Sequence, residues 1–227
     1  MLNICPKCSA RVGIDQNAPH IICPACGNRQ PFLRLPLLLV GGAAGAGKSA
    51  VLQHLLMNRL DADPSYPSPL AALDRVVMLD ADLLWREEFN QPEQGYRNFF
   101  QTWLRACADI SQSGRPVVLF GAGTSVPHNL EPLIERRYFS ALHYLALVCQ
   151  SDELERRIRA RDYRPDSDDP NFISEHRDFN RWFIQNAHTT DPPIELIETT
   201  YLPLQQVARR VLGWITAIIA QASFRKT

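Results

Sequence analysis

One run, Gly42-Ala-Ala-Gly45-Ala-Gly47-Lys48-Ser49, restricts the fold of this chain more than any other feature. It follows the apolar run Leu37 to Val40 and opens onto helix-compatible residues, which is the strand–loop–helix context that a Gly-x-x-x-x-Gly-Lys-Ser pattern requires. The glycines let successive backbone N–H groups turn toward one anion, and the following helix points its positive end at the same place. Lys48 adds a mobile positive charge and Ser49 a hydroxyl suited to magnesium. The candidate ATP contacts are therefore Gly42, Gly45, Ala46 and Gly47 in the loop, with Lys48, Ser49 and Ala50 where the helix begins. Where the terminal phosphate goes is left to the rest of the chain.

Around this loop, short apolar runs alternate with long segments of helical spacing. The runs are Leu37 to Val40, Val76 to Leu79, Val117 to Phe120, Leu142 to Val148 and Ile194 to Ile197; the helical segments include Phe99 to Ile110 and Leu202 to Ile219. Such alternation predicts an α/β fold, a three-layer α/β/α arrangement in which helices cover both faces of a five-stranded parallel sheet. With 227 residues, 45% of them hydrophobic, the chain can bury a full core and carry a small appendage. Lys and Arg total 24, as do Asp and Glu, so no overall field draws the protein to nucleic acid or to an anionic membrane. No apolar run reaches the ~20 residues of a membrane span, and a cytoplasmic protein is expected. Two Pro-rich polar stretches, Asp61 to Pro69 and Arg164 to Pro170, read as loops.

The appendage is written in the cysteines. Cys5-Pro-Lys-Cys8 and Cys23-Pro-Ala-Cys26 are two Cys-x-x-Cys pairs, each able to present two sulfurs from one tight turn and together to close a tetrahedron around zinc. A closed four-sulfur site has no open position for water, so the zinc is read as structural. The shape resembles a zinc ribbon, and the proline-bounded connector Gln30 to Pro36 places the boundary between residues 1–32 and a main domain of 33–227. His20 is a surplus ligand once four sulfurs are counted. Cys107 and Cys149 stand alone in apolar surroundings and read as core.

In an open parallel sheet, ligands sit beyond the carboxyl ends of the strands. The second run ends in Asp80-Ala-Asp82, whose carboxylates point the same way if the segment is extended. One is suited to hold magnesium through water and the other to orient an acceptor hydroxyl and take its proton; Asp80 is assigned to magnesium and Asp82 to the acceptor. The competing reading, helix capping, falls more naturally on Asp82. The third run ends in Gly121-Ala-Gly123-Thr124-Ser125, with glycines that allow a ligand close to the backbone and hydroxyls at the same rim. No acid ends that strand, which counts against translocating and helicase-like ATPases.

After the fourth run, a helix starting near Asp152 would place Arg157 and Arg161 one turn apart, with Arg164 following. On a helical lid such arginines stabilise a transferring phosphoryl group and exclude water; the bland alternative pairs Glu153 with Arg157 and Glu155 with Arg159. Arg156 and Arg159 read as solvated partners. Between Asp82 and the third strand, Trp85, Arg86, Tyr96 and Arg97 are candidate acceptor contacts, since aromatic faces beside a guanidinium suit a flat ring. Phe99, Phe100 and Trp103 read as core, and His128 as a loop residue.

The Walker loop, the strand-end Asp-Ala-Asp, the Phe-Gly-Ala-Gly turn, His143-Tyr-Leu-Ala-Leu-Val-Cys-Gln with the arginine helix, Phe179-Asn-Arg-Trp-Phe-Ile-Gln-Asn-Ala187 and the closing Ile194 to Ile215 segment together resemble the nucleoside and nucleoside-monophosphate kinases among P-loop proteins, kin to adenylate, gluconate and shikimate kinases. The resemblance covers about Leu35 to the C-terminus. It implies phosphate and magnesium contacts at Gly45, Gly47, Lys48 and Ser49, an acceptor contact or base at Asp82, lid residues at Arg157 and Arg161, and adenine near Thr199 and Thr200. The expected activity is ATP-dependent transfer to a small hydroxyl- or phosphate-bearing acceptor, a nucleoside or nucleotide first. The alternatives are a zinc-ribbon ATPase or regulatory module touching nucleic acid or protein through the ribbon, where Lys7, Arg11 and Arg29 lie, and a kinase of a sugar, an antibiotic or another metabolite.

Overall fold

The structure, a computed structural model, describes residues 4–13, 20–57, 73–161 and 167–224. The loop expected over Asp61 to Pro69 and the candidate Arg164 lie outside the described residues.

All five apolar runs form strands: β3 (Leu37–Gly41), β4 (Val77–Asp80), β5 (Val117–Phe120), β6 (Leu142–Val148) and β7 (Ile194–Glu198). β1 (His20–Ile22) and β2 (Arg29–Pro31) belong to the amino-terminal unit. The five pair in parallel in the order β4-β5-β3-β6-β7, which puts the strand that feeds the Gly-Lys-Ser loop in the centre. Every residue of β3 and β5 is buried, as a parallel strand covered on both faces must be.

The two faces sort by alternation along the strands. Leu38, Val40, Val118, Phe120, Leu145 and Leu147 share one buried cluster with α1 (Lys48–Leu56). The carboxy-terminal helix Leu204–Phe224 completes that layer and packs against α1. Leu37, Leu39, Val117, Leu119, Tyr144 and Ala146 face the other way, toward α2 (Arg97–Ser111) and the four-residue α3 (Pro127–Leu130). α2 buries Phe99, Phe100, Trp103, Leu104, Cys107, Ala108 and Ser111, a stripe at helical spacing, so the three aromatic residues assigned to the core from sequence are there. α4 (Ser151–Arg159), α5 (Pro170–Asn186) and α6 (Leu204–Phe224) follow in order. No helix among the described residues is long and apolar enough to cross a membrane.

The amino-terminal unit is an antiparallel β1–β2 pair with an isolated bridge between Ile4 and Arg11. Gln30 and Pro31, expected in the connector, pair in β2. The unit is too small to close a core alone, and its Val12, Ile21 and Phe32 join the buried cluster on the α2 face of the sheet. Phe32 meets Tyr138 edge to face, with ring centroids 6.1 Å apart. Just beyond it, the Leu33 N–H donates to Gln112 Oε1 and Gln112 Nε2 donates to the Leu33 carbonyl, both at 3.0 Å. Arg34 Nε donates to the Arg137 carbonyl at 3.1 Å.

Candidate active site

The strand register brings the expected rim residues to one edge. Asp80 lies level with Phe120 and Phe120 with Val40, while Gly41 pairs with Ala146 and Val148 with Glu198. The loop leaves this edge with Gly42, Gly45 and Gly47 at φ +132°, +85° and +106°, a region that side-chain-bearing residues rarely adopt. At Gly42 a Cβ would fall 2.3 Å from the Leu147 carbonyl oxygen, so glycine is required there twice over. At Gly47 no atom of the described residues other than its chain neighbours lies within 4 Å of that position, leaving open space over the N-terminus of α1, whose first turn carries no acid. The residues present therefore fit a phosphate chain. Lys48 Nζ bends back to donate to the carbonyls of Gly42 at 2.7 Å and Ala43 at 2.9 Å, while Ser49 and Ala50 are exposed at the helix start.

Asp80 is half-buried, and its Oδ1 accepts the Asp82 N–H at 3.0 Å, capping the 3-10 turn Ala81–Leu84. Capping thus falls on Asp80 and not on Asp82, because the strand ends one residue before the turn and only Asp80 has the extended backbone of a cap. Asp82 is exposed. Asp80 stands two strands from the loop strand, about 10 Å across the sheet at the usual strand spacing, which suits a water-mediated reach to magnesium.

Gly121 and Gly123 are accounted for by packing. A Cβ on Gly121 would lie 2.6 Å from Ala81 Cβ, and one on Gly123 would lie 3.1 Å from Phe100. The hydroxyls expected at the rim turn inward instead. Thr124 is 1% exposed and donates to the Gly121 carbonyl at 3.0 Å, and Ser125 is 0% exposed with its Oγ in the volume a Gly41 side chain would need. Close packing of the turn against β3 decides this, and periodicity could not report it.

α4 ends at Arg159, and the Arg161 N–H closes a tighter turn onto the Ile158 carbonyl. Arg157 and Arg161 therefore do not continue one helical face. Arg157 is fully engaged: Nε donates to Glu153 at 2.7 Å, Nη1 to Thr199 Oγ1 at 3.0 Å and Nη2 to the Thr199 carbonyl at 2.9 Å. Both bland pairings are therefore present, Arg157 with Glu153 and Arg159 with Glu155, and Arg156 pairs with Glu153 as well. Arg161 is half-buried, and its guanidinium has no hydrogen-bond or ion-pair partner among the described residues. Thr199, 3% exposed, has its hydroxyl within 3.1 Å of the Val148 carbonyl and 3.3 Å of the Ala46 carbonyl. Thr200 Oγ1 accepts the Gln150 N–H at 2.8 Å and contacts Glu198 Oε1. The Thr199–Thr200 turn is thus tied to the Gly-rich loop at Ala46.

On the other side of the rim, Trp85 is 42% exposed and meets Tyr96 at 6.0 Å and Phe99 at 5.2 Å between ring centroids. Tyr96 adopts φ +55° just before α2. Arg86 and Arg97, which follow Trp85 and Tyr96 in the chain, are exposed. This gives an open aromatic ledge whose rings are each followed in sequence by an arginine.

With this geometry the chain matches solved structures along nearly all of their length. A gluconokinase from Sinorhizobium meliloti shares 17% identity over 86% of this chain and 100% of its own, at a TM-score of 0.53. The tunicamycin resistance protein of Deinococcus radiodurans shares 18% over 80% of this chain and 96% of its own, at 0.51. A shikimate kinase from Bacteroides thetaiotaomicron shares 16% over 80% and 98%, also at 0.51. The fold is that of the P-loop kinases. No family profile matches the chain, and no curated protein does.

Within this P-loop kinase fold two contacts at the loop edge escaped the sequence. His176 on α5 accepts the Ala44 N–H at Nδ1, 3.3 Å away, and Asn180, one turn on and 0% exposed, bonds both backbone groups of Cys149. The helical spacing of Phe172, His176 and Asn180 was legible; that this face meets the loop was not. His128, expected in a loop, lies instead in the short helix α3, where Pro127 starts the turn; it is exposed and its ring meets Trp182 edge to face.

Apart from the kinase fold, the four cysteines Cys5, Cys8, Cys23 and Cys26 bring their sulfurs within 4.8 Å of one another. Cys5 to Cys26 is 3.7 Å and Cys8 to Cys23 is 3.6 Å, close to the ~3.8 Å edge of a tetrahedron with 2.3 Å zinc–sulfur bonds. Each pair sits in a turn closed by Ser9 N–H to the Cys5 carbonyl and Gly27 N–H to the Cys23 carbonyl, and Gly27 takes φ +69°. Burial pushes the Cys5 thiol up, but backbone bonds at Lys7 and Cys8 and the sulfurs of Cys26 and Cys23 outweigh it and bring it down to about 6. The donor set fits zinc. Cys107 and Cys149 are buried in the core, and burial raises their thiols to about 12 and about 11.

Proposed function

We propose that this protein is an ATP-dependent phosphotransferase acting on a small hydroxyl- or phosphate-bearing acceptor, a nucleoside or nucleotide first. The observation that carries the reading is the Gly-rich loop. It sits on the central strand, opens over α1 at Gly47, and has Lys48 parked on its first carbonyls beside an edge that also bears Asp80 and Asp82. The Gly45 to Ala50 amides and Lys48 hold the phosphates, Ser49 and Asp80 hold the metal, and Asp82 orients the acceptor hydroxyl and takes its proton. Magnesium, when bound, neutralises charge that builds on the phosphates. Arg157 keeps the Thr199–Thr200 turn fixed where the adenine would lie, and Arg161 is left to meet the transferring group. The ledge of Trp85 and Tyr96, with Arg86 and Arg97, favours a ring-bearing acceptor with an anionic substituent. The solved neighbours named for gluconate and shikimate keep hydroxylated acids as the next class to try.

The test is ADP formation with and without a panel of nucleosides, nucleotides, sugars and hydroxy acids, with product mass as the second readout. Acceptor-dependent ADP with a product 80 Da heavier is the expected result, absent in Lys48→Ala. ATP turnover that responds to DNA or RNA and to no small molecule would overturn the reading and move function to the ribbon.

A further inference from the structure

We propose that the groove between α4 and α5 is a second binding site, separate from the Gly-rich loop, that takes a small phosphomonoester. A cavity of about 280 Å³ lies there, with Glu155 and Arg159 of α4 and Ile173, Ser174, Arg177 and Arg181 of α5 in its lining. That is near the lower end of the roughly 300–1,000 Å³ that small-molecule pockets span, room for a phosphate and a short organic body.

The groove opens on the outer side of both helices. Along α5 its lining positions, from Pro170 to Arg181, recur at helical spacing. Asn180 and Phe183, both buried, lie on the opposite face, where Asn180 bonds Cys149 at the end of β6. On α4, the Leu154 carbonyl and Ile158 Cγ1 stand over Gly45 of the loop, 3.0 and 3.1 Å from where a Cβ would be, and neither residue lines the groove. The cavity and the phosphate loop are thus on opposite sides of the same pair of helices.

Its chemistry follows from counting charges and donors. Three guanidinium groups, Arg159, Arg177 and Arg181, line it with two carboxylates, Glu155 and Asp178, a surplus of one positive charge. Glu155 ties the helices together: Oε1 accepts from Arg159 Nε and Nη2 at 3.0 Å, and Oε2 from Arg177 Nη1 at 2.9 Å. Arg181 Nη1 donates to Asp178 Oδ1 at 2.8 Å. A guanidinium carries five N–H donors, so these bonds use one from Arg177 and one from Arg181. The other carboxylate near Arg177, Asp152, is 3.8 Å away with its side chain fully in solvent, and exposed pairs such as Arg181 with Asp178 contribute little. Arg177 and Arg181 stand one turn apart, two forks with donors to spare. A carboxylate has two oxygens and is filled by one fork, whereas a phosphomonoester has three terminal oxygens in a tetrahedral array and can meet both. Ser174 adds an exposed hydroxyl. Pro170 and the buried Ile173 give the apolar wall against which the organic part of an ester packs.

The test is calorimetric titration of the full chain with phenyl phosphate, inorganic phosphate and phenol, in saturating ADP and magnesium so that the loop is filled. Phenyl phosphate is expected to bind at one site, inorganic phosphate more weakly and phenol not at all. Arg181→Glu removes only an exposed pair within one helix, and Ser174→Glu sets a carboxylate among the three arginines from an exposed position. Each should weaken phenyl phosphate at least about tenfold while the ADP dissociation constant stays within twofold and the melting temperature holds. If one variant does not fold, the other decides by the same comparison. The titration is repeated without ADP, so the Arg181-dependent component is read whatever the loop binds. Absence of saturable binding, or the same constant in wild type and both variants, would overturn the proposal. Inorganic phosphate as tight as the ester would overturn the ester class, and a site lost in Trp85→Ala but kept in Arg181→Glu would place the ester on the aromatic ledge instead.

Discussion

Asn180→Ala is the perturbation whose cost can be worked most directly from the structure. The amide is 0% exposed and satisfies both backbone groups of Cys149, itself 1% exposed, at the carboxyl end of β6. Truncation orphans a buried N–H and a buried C=O, each at about 1–3 kcal/mol. The expected loss is therefore about 2–6 kcal/mol, a large part of the 5–15 kcal/mol that holds a typical domain. Asn180→Asp separates the two bonds. Its carboxylate can still accept from Cys149 N–H, but it places an oxygen against the Cys149 carbonyl, so at pH 7 it should cost at least as much as alanine, and protonation should relieve part of that cost by restoring a donor. Urea unfolding followed by tryptophan fluorescence measures both, with the midpoint moving and the slope unchanged. A shift below about 0.5 kcal/mol for Asn180→Ala, the range of ordinary surface substitutions, would show that water replaces the amide and that α5 is not fixed by this contact.

Three further outcomes are expected. The protein should hold one zinc per chain, measured by metal analysis and lost in Cys23→Ser; chelation should lower the melting temperature yet leave ADP affinity within a few-fold, and abolished ADP binding would refute the division near residue 32. Asp82→Asn should lower acceptor phosphorylation by about 10²–10⁴-fold while background ATP hydrolysis stays near wild type, whereas Asp80→Asn should depress both at saturating magnesium; equal losses for Asp82→Asn would remove its acceptor role. The side-chain bond from Arg156, with burial opposing and Arg157 assisting, holds the Glu153 carboxyl down at about 2. Because that folded value lies below the ordinary ~4.3, its contribution to stability is complete above about pH 5 and is lost as pH falls toward 2. Glu153→Gln should flatten that part of the acid-unfolding profile, and an unchanged profile would refute the pairing.

The strands, the loop and the cysteine cluster were legible because each is a local pattern: five apolar runs at strand length, glycines at fixed offsets, and paired thiols. Each strand matched its run to within a residue. The positions that misled depend on contacts between distant segments. Ser125 turns inward because Gly41 has no side chain to occupy the space, and Thr124 because Gly121 has none; Arg157 reaches the Thr199 turn across two elements, and His176 meets a loop residue far earlier in the chain. Asp80 rather than Asp82 caps the turn because the turn begins at Ala81, two residues sooner than capping by Asp82 would require. A pattern in the chain reports which face is apolar; it does not report what that face will touch.

The paired bonds between Gln112 and Leu33 have a mechanical consequence. A connector set between Pro31 and Pro36 would ordinarily work as a swivel, and here the side-chain amide welds its backbone to the end of α2. That helix is a rod of about 22 Å at 1.5 Å per residue, and its opposite end emerges beside Tyr96 and Trp85. A load placed on the ribbon therefore arrives at the aromatic ledge as a push along a strut and is not taken up as slack in a tether.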